Sequence, residues 1–177
     1  MSDAASENPG VGISADTAAT SRRAAGGSNV LGDKSNPVIR KILPSDAASA
    51  ARLSGELGYP ATPEVMQQRI IQLADCPNHE VYVACVGSAV VGWIDLGVTH
   101  HLQSEPYVEI GGLVVADGAR SKGIGGLLVS FGEDWARKRG VRRVVVRSRI
   151  SRERAHVFYE RAGYTRSKTS AVFEKSL

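Results

Sequence analysis

A glycine-rich turn with basic neighbours is the segment of this chain best suited to bind an anion. Between a β-rich run and an amphipathic run, residues 120–126 read Arg-Ser-Lys-Gly-Ile-Gly-Gly. The glycines allow the backbone to approach a ligand closely, and the N-terminus of a following helix adds positive potential. Arg120 and Lys122 add full positive charges. The turn therefore predicts a site for a diphosphate; the alternative is an ordinary strand-to-helix turn whose glycines serve only its geometry.

Two other phosphate-binding motifs do not fit this turn. A P-loop needs Lys and then Ser or Thr directly after its last glycine, whereas Ile124 and Gly125 follow Gly123 here. A dinucleotide fingerprint needs a glycine at the position that Leu128 occupies. What remains is an R-x-x-G-x-G motif that begins five residues after a strand ending at Val115.

Hydrophobic periodicity predicts the elements that must position this turn. A strand with Gly111 and Gly112 in its middle precedes it, and paired glycines in a strand indicate a bulge or a close backbone approach. The predicted order is β-α-α-β-β-β-α-β-α-β-β, which indicates an α+β domain with a central, mixed, twisted sheet covered by helices. The strands are expected at Val38–Leu43, Val81–Val86, Ala89–Val98, Tyr107–Ala116, Val141–Arg147, Tyr164–Ser167 and Ala171–Lys175, with the last helix at Arg152–Ala162.

Two motifs in this order resemble those of the GNAT superfamily of N-acetyltransferases. The strand end Leu113-Val114-Val115, followed after four residues by R-x-x-G-x-G, is similar to the acyl-CoA-binding motif of that family. The segment AHVFYERAGY at residues 155–164 is similar to its A-x-x-F-Y-E-x-x-G-[FY] helix. The resemblance covers about four fifths of the chain. It implies a mixed α/β, GNAT-like sheet in which two strands splay apart and form a slot for acyl-CoA.

The resemblance also implies acetyl-CoA as cosubstrate and a set of residues that bind it. Backbone groups at the end of the splayed strand would pair with the pantetheine arm like an added strand. Amides of the glycine turn would hold the diphosphate. The chain departs from the family at Arg147, where some members have a glutamate, and at Arg152, where asparagine is frequent, and we expect Arg147 or Arg152 to contact the phosphates instead. The expected cofactor-binding residues are Leu113, Val114, Val115, Arg120, Ser121, Lys122, Gly123, Ile124, Gly125, Gly126 and Arg152. No metal is expected.

Acetyl transfer to an amine needs a proton acceptor for the amine and a proton donor for the departing thiolate. Tyr159 matches the family's tyrosine near the thioester sulfur and is the expected acid; the alternative is a core aromatic. Glu109 lies on the cofactor strand and is the expected base, with an exposed strand carboxylate as the alternative. Asp95 would bind a cationic acceptor or is an ordinary exposed acid. His100 and His101 would shuttle protons or lie in a surface loop.

Charge is divided unevenly along the chain. Residues 37–119 carry 4 basic and 9 acidic side chains, and residues 120–177 carry 15 basic and 5 acidic ones. This division favours a polyanionic ligand beside a cationic one. We therefore expect the acceptor to be a cationic amine, such as an amino sugar, an aminoglycoside, a polyamine or a protein amine. The alternatives are a non-catalytic acyl-CoA sensor and, ranked last, a nucleic-acid-binding protein that uses the basic C-terminal third.

Composition sets the domain organisation and the cellular setting that we expect. Residues 1–36 are rich in Ala, Ser and Gly and predict a flexible tail, so the acetyltransferase domain is expected at residues 37–177. No run of about 20 apolar residues predicts a membrane span, and the two cysteines, Cys76 and Cys85, do not form a disulfide framework. We expect a cytoplasmic enzyme with no membrane partner, and the sequence leaves a homodimer open.

Overall fold

The computed structural model describes residues 36–177, which fold around one five-stranded sheet. The strands lie in chain order across the sheet, and each neighbouring pair is antiparallel except β4 and β5, which are parallel. The predicted mixed sheet is confirmed. The strands are β1 Val38–Lys41, β2 His79–Val86, β3 Ala89–His101, β4 Ser104–Val115 and β5 Val144–Val146.

Helices cover both faces of this sheet. On one face, Leu53 of the first helix packs with Val83 and Val114 of the sheet. On the other face, Leu128 and Trp135 of the third helix pack with Ile94, Leu96 and further apolar residues of the central strands. The helices are α1 Ala47–Glu56, α2 Pro63–Ala74, α3 Ile124–Lys138 and α4 Glu153–Arg161, with 3₁₀ turns at Pro44–Asp46 and Asp117–Ala119.

The paired glycines of β4 have the two effects predicted for them. Asp95 pairs with Gly112 and Leu96 pairs with Ile110, so Gly111 is an extra residue that bulges from the ladder. At Gly112 a Cβ would lie 2.6 Å from the Trp93 ring, so only glycine fits beside the indole there. The bulge turns the part of β4 after Gly111 away from the part before it. β5 pairs with β4 only before the bulge, at residues 108–110.

The C-terminal segment differs from the prediction. Tyr164–Ser167 and Ala171–Lys175 were expected to pair as two terminal strands, and the structure assigns neither of them to the sheet. Val172 and Phe173 are more than four fifths exposed. Polar residues separate the two predicted strands, so a terminal hairpin would bury little apolar surface. Pairing of the strands would therefore contribute little free energy of folding.

Two further expectations concern the limits of the described chain. The predicted tail at residues 1–36 lies outside the described residues except for its last position. Within residues 36–177 no helix is long and apolar enough to cross a membrane. Cys76 and Cys85 are both free thiols, one exposed and one buried.

Glu80 joins β1 and β2 to α3. One oxygen of its carboxylate accepts hydrogen bonds from Trp135 and Tyr82, and the other lies 3.1 Å from the Lys41 ammonium. Burial opposes ionisation of this carboxyl, but the hydrogen bonds from Trp135, Tyr82 and Lys41 outweigh burial and lower its pKa to about 2. The folded protein therefore binds a proton at Glu80 less readily than the unfolded chain does.

This pKa predicts how Glu80 contributes to stability. Because the folded pKa is depressed, the contribution is complete above the unfolded value near 4.5 and is lost as pH falls toward 2. We expect Glu80→Gln to lower the free energy of unfolding by about 1–3 kcal/mol at pH 7, since hydrogen bonds to a charged group are lost. Urea denaturation at pH 7 and at lower pH measures it. The exposed Glu174→Gln is the matched control, and a Glu80 effect that does not shrink in acid would contradict the assignment.

Candidate active site

The site begins where β4 and β5 part. Their ladder joins Val108 to Val144 and ends with Ile110 and Val146. From Gly111 to Val115, β4 therefore has a partner only on its β3 side among the described residues. The opening that the family resemblance implied lies at this point of the sheet.

The open edge presents backbone groups of alternate residues. The amide of Ala116 donates to the carbonyl of Val91 on β3, at 2.8 Å. Because alternate residues of an antiparallel strand turn their polar groups to the same side, Val114 also faces β3, whereas Leu113 and Val115 face the opening. Of the three residues predicted to pair with a pantetheine arm, the geometry thus offers Leu113 and Val115, while Val114 places its side chain in the core.

Arg120 fastens the turn that follows β4. Its Nε donates to the carbonyl of Val115 at 3.0 Å, and its guanidinium pairs with Asp117 and lies 3.9 Å from Glu56 at the end of α1. Glu56 also accepts the backbone amide of Asp117 at 2.9 Å. Arg120, which was predicted to bind phosphate, therefore holds the end of β4 instead. The backbone amide of Val115 and the backbone amide and carbonyl of Leu113 remain available to another partner.

The glycine turn directs amides toward the same opening. Ser121 and Gly123 have left-handed φ values of 62° and 80°, which reverse the chain directly before α3. Gly123 is the N-cap and provides no side chain, so the first amides of the helix, those of Ile124, Gly125 and Gly126, lack intrahelical acceptors. Ile124 is buried and contributes only its amide. The anion site predicted here would consist of backbone donors and a helix N-terminus, with Lys122 exposed beside them.

Gly125 has a packing role besides its amide. A Cβ at this position would lie 3.2 Å from the ring of Phe158 on α4. The absence of a side chain therefore lets α4 approach the N-terminus of α3. At Gly126, by contrast, no atom lies within 4 Å of an added Cβ, so this position faces open space.

Tyr159 directly follows Phe158 on α4. Its ring lies 5.1 Å from that of Phe158 and 5.7 Å from that of Tyr164. Burial raises the pKa of Tyr159 to about 12, and the nearby charge of Arg152 offsets part of that rise. The phenol therefore keeps its proton at neutral pH, as a donor to a leaving group must.

Arg152 has a partner other than the one predicted for it. Its guanidinium donates to the carbonyl of Leu57 in the α1–α2 loop, across 95 residues of sequence. In the same loop, the guanidinium carbon of Arg149 lies 5.3 Å from the centroid of the Tyr59 ring. Two arginines from the β5–α4 segment thus hold the α1–α2 loop beside Tyr159, and neither contact involves the glycine turn.

A cavity of about 290 Å³ lies on the face of the sheet that α1 and α2 cover. It is lined by Gly111 at the bulge, by Glu109 and Asp95, and by His79 at the start of β2. His79 Nε2 lies 2.5 Å from Asp95 Oδ1. The two atoms do not have hydrogen-bond geometry, so the contact is one of charge. The neighbouring Asp95 carboxylate raises the pKa of His79 against the opposing effect of burial. The cavity adjoins the open edge of β4, so a group bound in it would meet a thioester lying along that edge.

Glu109, the expected base, lines this cavity but has a cationic neighbour. It forms an ion pair with Arg147, which follows β5 and also donates to the hydroxyl of Tyr107 at 3.0 Å. The hydrogen bonds to Glu109 and Tyr107 raise the pKa of Arg147. His101, expected to shuttle protons, contacts the same Tyr107 hydroxyl at 3.1 Å, and His100 is exposed.

His79 is not among the site residues predicted from the sequence. The strand predicted there begins at Val81, which leaves this histidine in a loop. The hairpin register could have placed it, since extending the β2–β3 ladder by two residues sets His79 opposite Gly97 and diagonal to Asp95. Gly97 makes room for the imidazole, whose Nδ1 lies 3.1 Å from the place of a Cβ there.

Comparison with known proteins agrees with this geometry. The sequence model of the acetyltransferase (GNAT) family matches residues 50–164. An aminoalkylphosphonate N-acetyltransferase of Salmonella typhimurium is 33% identical over 116 residues, which cover 65% of this chain and 73% of that protein. Residues 50–164, which the family model matches, contain the bulged strand, the glycine turn, α3 and α4.

Solved structures share the fold at low sequence identity. The aminoglycoside N-acetyltransferase AAC(6′)-Iy in complex with CoA has a TM-score of 0.73 and 15% identity, over 81% of this chain and 97% of that one. Glucosamine-6-phosphate N-acetyltransferase from Arabidopsis thaliana has a TM-score of 0.68 and 19% identity, over 80% and 99%. The open strand edge, the glycine-capped helix and the family match lead to one conclusion: this chain belongs to the GNAT family of acetyltransferases and is an acetyl-CoA-dependent N-acetyltransferase.

Proposed function

We propose that this enzyme transfers the acetyl group of acetyl-CoA directly to the primary amine of a small acceptor held in the cavity beside the β4 bulge. The observation that carries the proposal is the unpaired edge of β4, which leads from the cavity at Gly111 to the glycine-capped N-terminus of α3. A pantetheine arm can pair its amides with Leu113 and Val115, and the diphosphate can accept hydrogen bonds from the amides of residues 121–126. This places the thioester beside the cavity.

Tyr159 is proposed as the acid. The acceptor nitrogen attacks the thioester carbonyl carbon, the carbon–sulfur bond breaks, and the electron pair of that bond stays on sulfur. The phenol proton of Tyr159 then neutralises the thiolate. The nitrogen loses its second proton as the amide forms, and that proton restores the phenol of Tyr159 through solvent. Its hydroxyl has no hydrogen-bond partner among residues 36–177, so the proton is free for this transfer.

Glu109 is proposed as the base that takes the proton of the acceptor ammonium, directly or through water. It lies two residues before the bulge and lines the cavity. Its carboxylate is already paired with the Arg147 guanidinium. Arg147 must therefore move, or a water must relay the proton, before the acceptor can use this carboxylate.

The cationic acceptor class stays a proposal. Asp95 and Glu109 line the cavity, as the acidic middle of the sequence predicted. Two relatives of known type act on amino compounds by their names, an aminoalkylphosphonate in one and an aminoglycoside in the other. Among the described residues, four of the 15 basic side chains of the C-terminal third form ion pairs, at Arg120, Arg137, Arg139 and Arg147. The acetyltransferase family match over residues 50–164, rather than this pairing, disfavours the nucleic-acid alternative. A cytoplasmic location and a homodimer also stay proposals, the first supported by the free cysteines.

An amine panel with acetyl-CoA tests the proposed reaction. The panel comprises 2-aminoethylphosphonate, glucosamine, an aminoglycoside, spermidine and a lysine peptide, with thiol release followed by a chromogenic reagent. We expect thiol release that depends on one amine class, with the acetylated amine identified by mass spectrometry. Tight CoA binding with no turnover on any of these amines would instead favour the non-catalytic sensor.

Gly126→Asp tests the diphosphate site. The position is open and lies in the first turn of α3, where a carboxylate stabilises the helix by about 0.3–1 kcal/mol and at the same time repels a bound diphosphate. We expect the dissociation constant of CoA to rise at least about tenfold, while thermal stability is kept or increased. The neutral, equally sized Gly126→Asn is the control. Equal CoA affinity in the two variants would remove the diphosphate from this turn.

Tyr159→Phe tests the proposed acid. We expect kcat to fall about 100-fold and the CoA dissociation constant to change by less than about twofold, because only a proton donor is removed. Tyr164→Phe, which removes a neighbouring phenol hydroxyl, is the matched control. The wild-type kcat should show no alkaline loss due to Tyr159 until the pH nears its pKa of about 12. An unchanged kcat in Tyr159→Phe would mean that another group protonates the thiolate.

A further inference from the structure

The His79–Asp95 pair is a buried contact at the wall of the acceptor cavity. Both side chains are partly exposed, at 29% and 27%, but the two atoms that meet, His79 Nε2 and Asp95 Oδ1, are shielded from solvent. Neither residue serves the proposed acid or base. A carboxylate oxygen that is shielded from solvent is costly without a positively charged partner. His79 can supply that charge to Asp95 while the acceptor site is empty.

Asp95 is also the carboxylate that lies against the bulge. Its carboxyl carbon is 3.4 Å from the place of a Cβ on Gly111, the residue at which the cavity meets the open edge of β4. The acceptor nitrogen must come to this point to reach a thioester on that edge. Two acids line the cavity, and Glu109 is paired with Arg147. Asp95 is the acid that lies at Gly111, where the cavity meets the open edge of β4.

We infer that Asp95 is the counter-ion of the acceptor's ammonium group, and that His79 occupies this carboxylate until the acceptor displaces it. The inference rests on the proposed function, because it assumes that the amine enters this cavity. Imidazolium and ammonium then compete for one carboxylate. The other ionisable groups that face the pair are Glu109 of β4 with its partner Arg147, and Cys76 in the loop before β2.

This competition links acceptor binding to a proton. When His79 is protonated, the acceptor must displace a cation from Asp95; when His79 is neutral, Asp95 lacks a cation. Since pairing raises the pKa of His79, apparent acceptor affinity should increase with pH up to that raised value, by about tenfold per pH unit at most. The apparent affinity for the acceptor should decline again only when the free amine loses its own proton, at about pH 10.4 for an alkyl amine.

A nuclear magnetic resonance titration of the histidine side chains tests the competition without turnover. The full chain bound to CoA is titrated with and without saturating ethylammonium chloride, with potassium chloride at equal ionic strength as the reference. We expect the His79 midpoint to fall by about one pH unit with ethylammonium. In Asp95→Asn the midpoint should lie near the ordinary histidine value and should not respond. The signal of the exposed His100, assigned with His100→Asn, is the internal control.

Kinetics supply the second measurement. For the amine of the panel that is acetylated best, we expect the KM of wild type to fall as pH rises from 6 to 8 and that of His79→Asn to stay flat. At pH 6 the variant should bind the amine about tenfold more tightly than wild type, a gain that loss of a merely structural contact does not produce. His100→Asn should follow wild type.

The outcomes separate this inference from the reaction itself. Acetylation of an amine with a KM that ignores pH, together with a His79 midpoint that ethylammonium leaves in place, overturns the competition and keeps the transferase. Absence of turnover on the whole panel, with the midpoint still displaced by ethylammonium, overturns the proposed reaction and keeps Asp95 as an ammonium site.

Discussion

The structure depends on backbone groups that the sheet leaves without a partner. β5 pairs with β4 over only three residues, and β4 then bulges at Gly111 and continues alone on that side to Val115. Unpaired amides and carbonyls inside a fold need hydrogen-bond partners. Arg120 satisfies the carbonyl of Val115. The groups of Leu113 and the amide of Val115 are left for a ligand that carries amides of its own, and this requirement selects a pantetheine arm over a nucleotide phosphate alone.

The remaining parts of the site are placed against this opening by contacts between distant segments. Phe158 reaches the first turn of α3 because Gly125 has no side chain, and Tyr159 is the next residue of α4. Arg152 then joins the start of α4 to the carbonyl of Leu57. The α1–α2 loop, the glycine turn and the proposed catalytic tyrosine are thus parts of one packed unit, so a change in any of them should affect the others.

Charge in the acceptor cavity is balanced in pairs. The acidic middle of the chain supplies Asp95 and Glu109, but each carboxylate has a cation, His79 in one case and Arg147 in the other. Arg147 comes from the basic C-terminal third. A count along the sequence therefore overstates the negative potential of the cavity. If the cavity binds the ammonium group that we propose, its selectivity would depend on exchange of ion-pair partners more than on excess charge.

Local pattern in the sequence determined the mixed sheet, the bulge at the paired glycines, the helix after the R-x-x-G-x-G turn and the family, because periodicity and glycine spacing are properties of neighbouring residues. Tertiary structure alone decided the rest. The partner of Arg152, the ion pairs of Glu109 and Asp95, and the presence of His79 in the cavity each depend on residues that lie 16 to 95 positions apart and meet through strand register or helix packing. The prediction of two terminal strands was wrong for the same reason. Alternation of residue types is a property of one segment, whereas strand pairing requires an available sheet edge and apolar surface to bury.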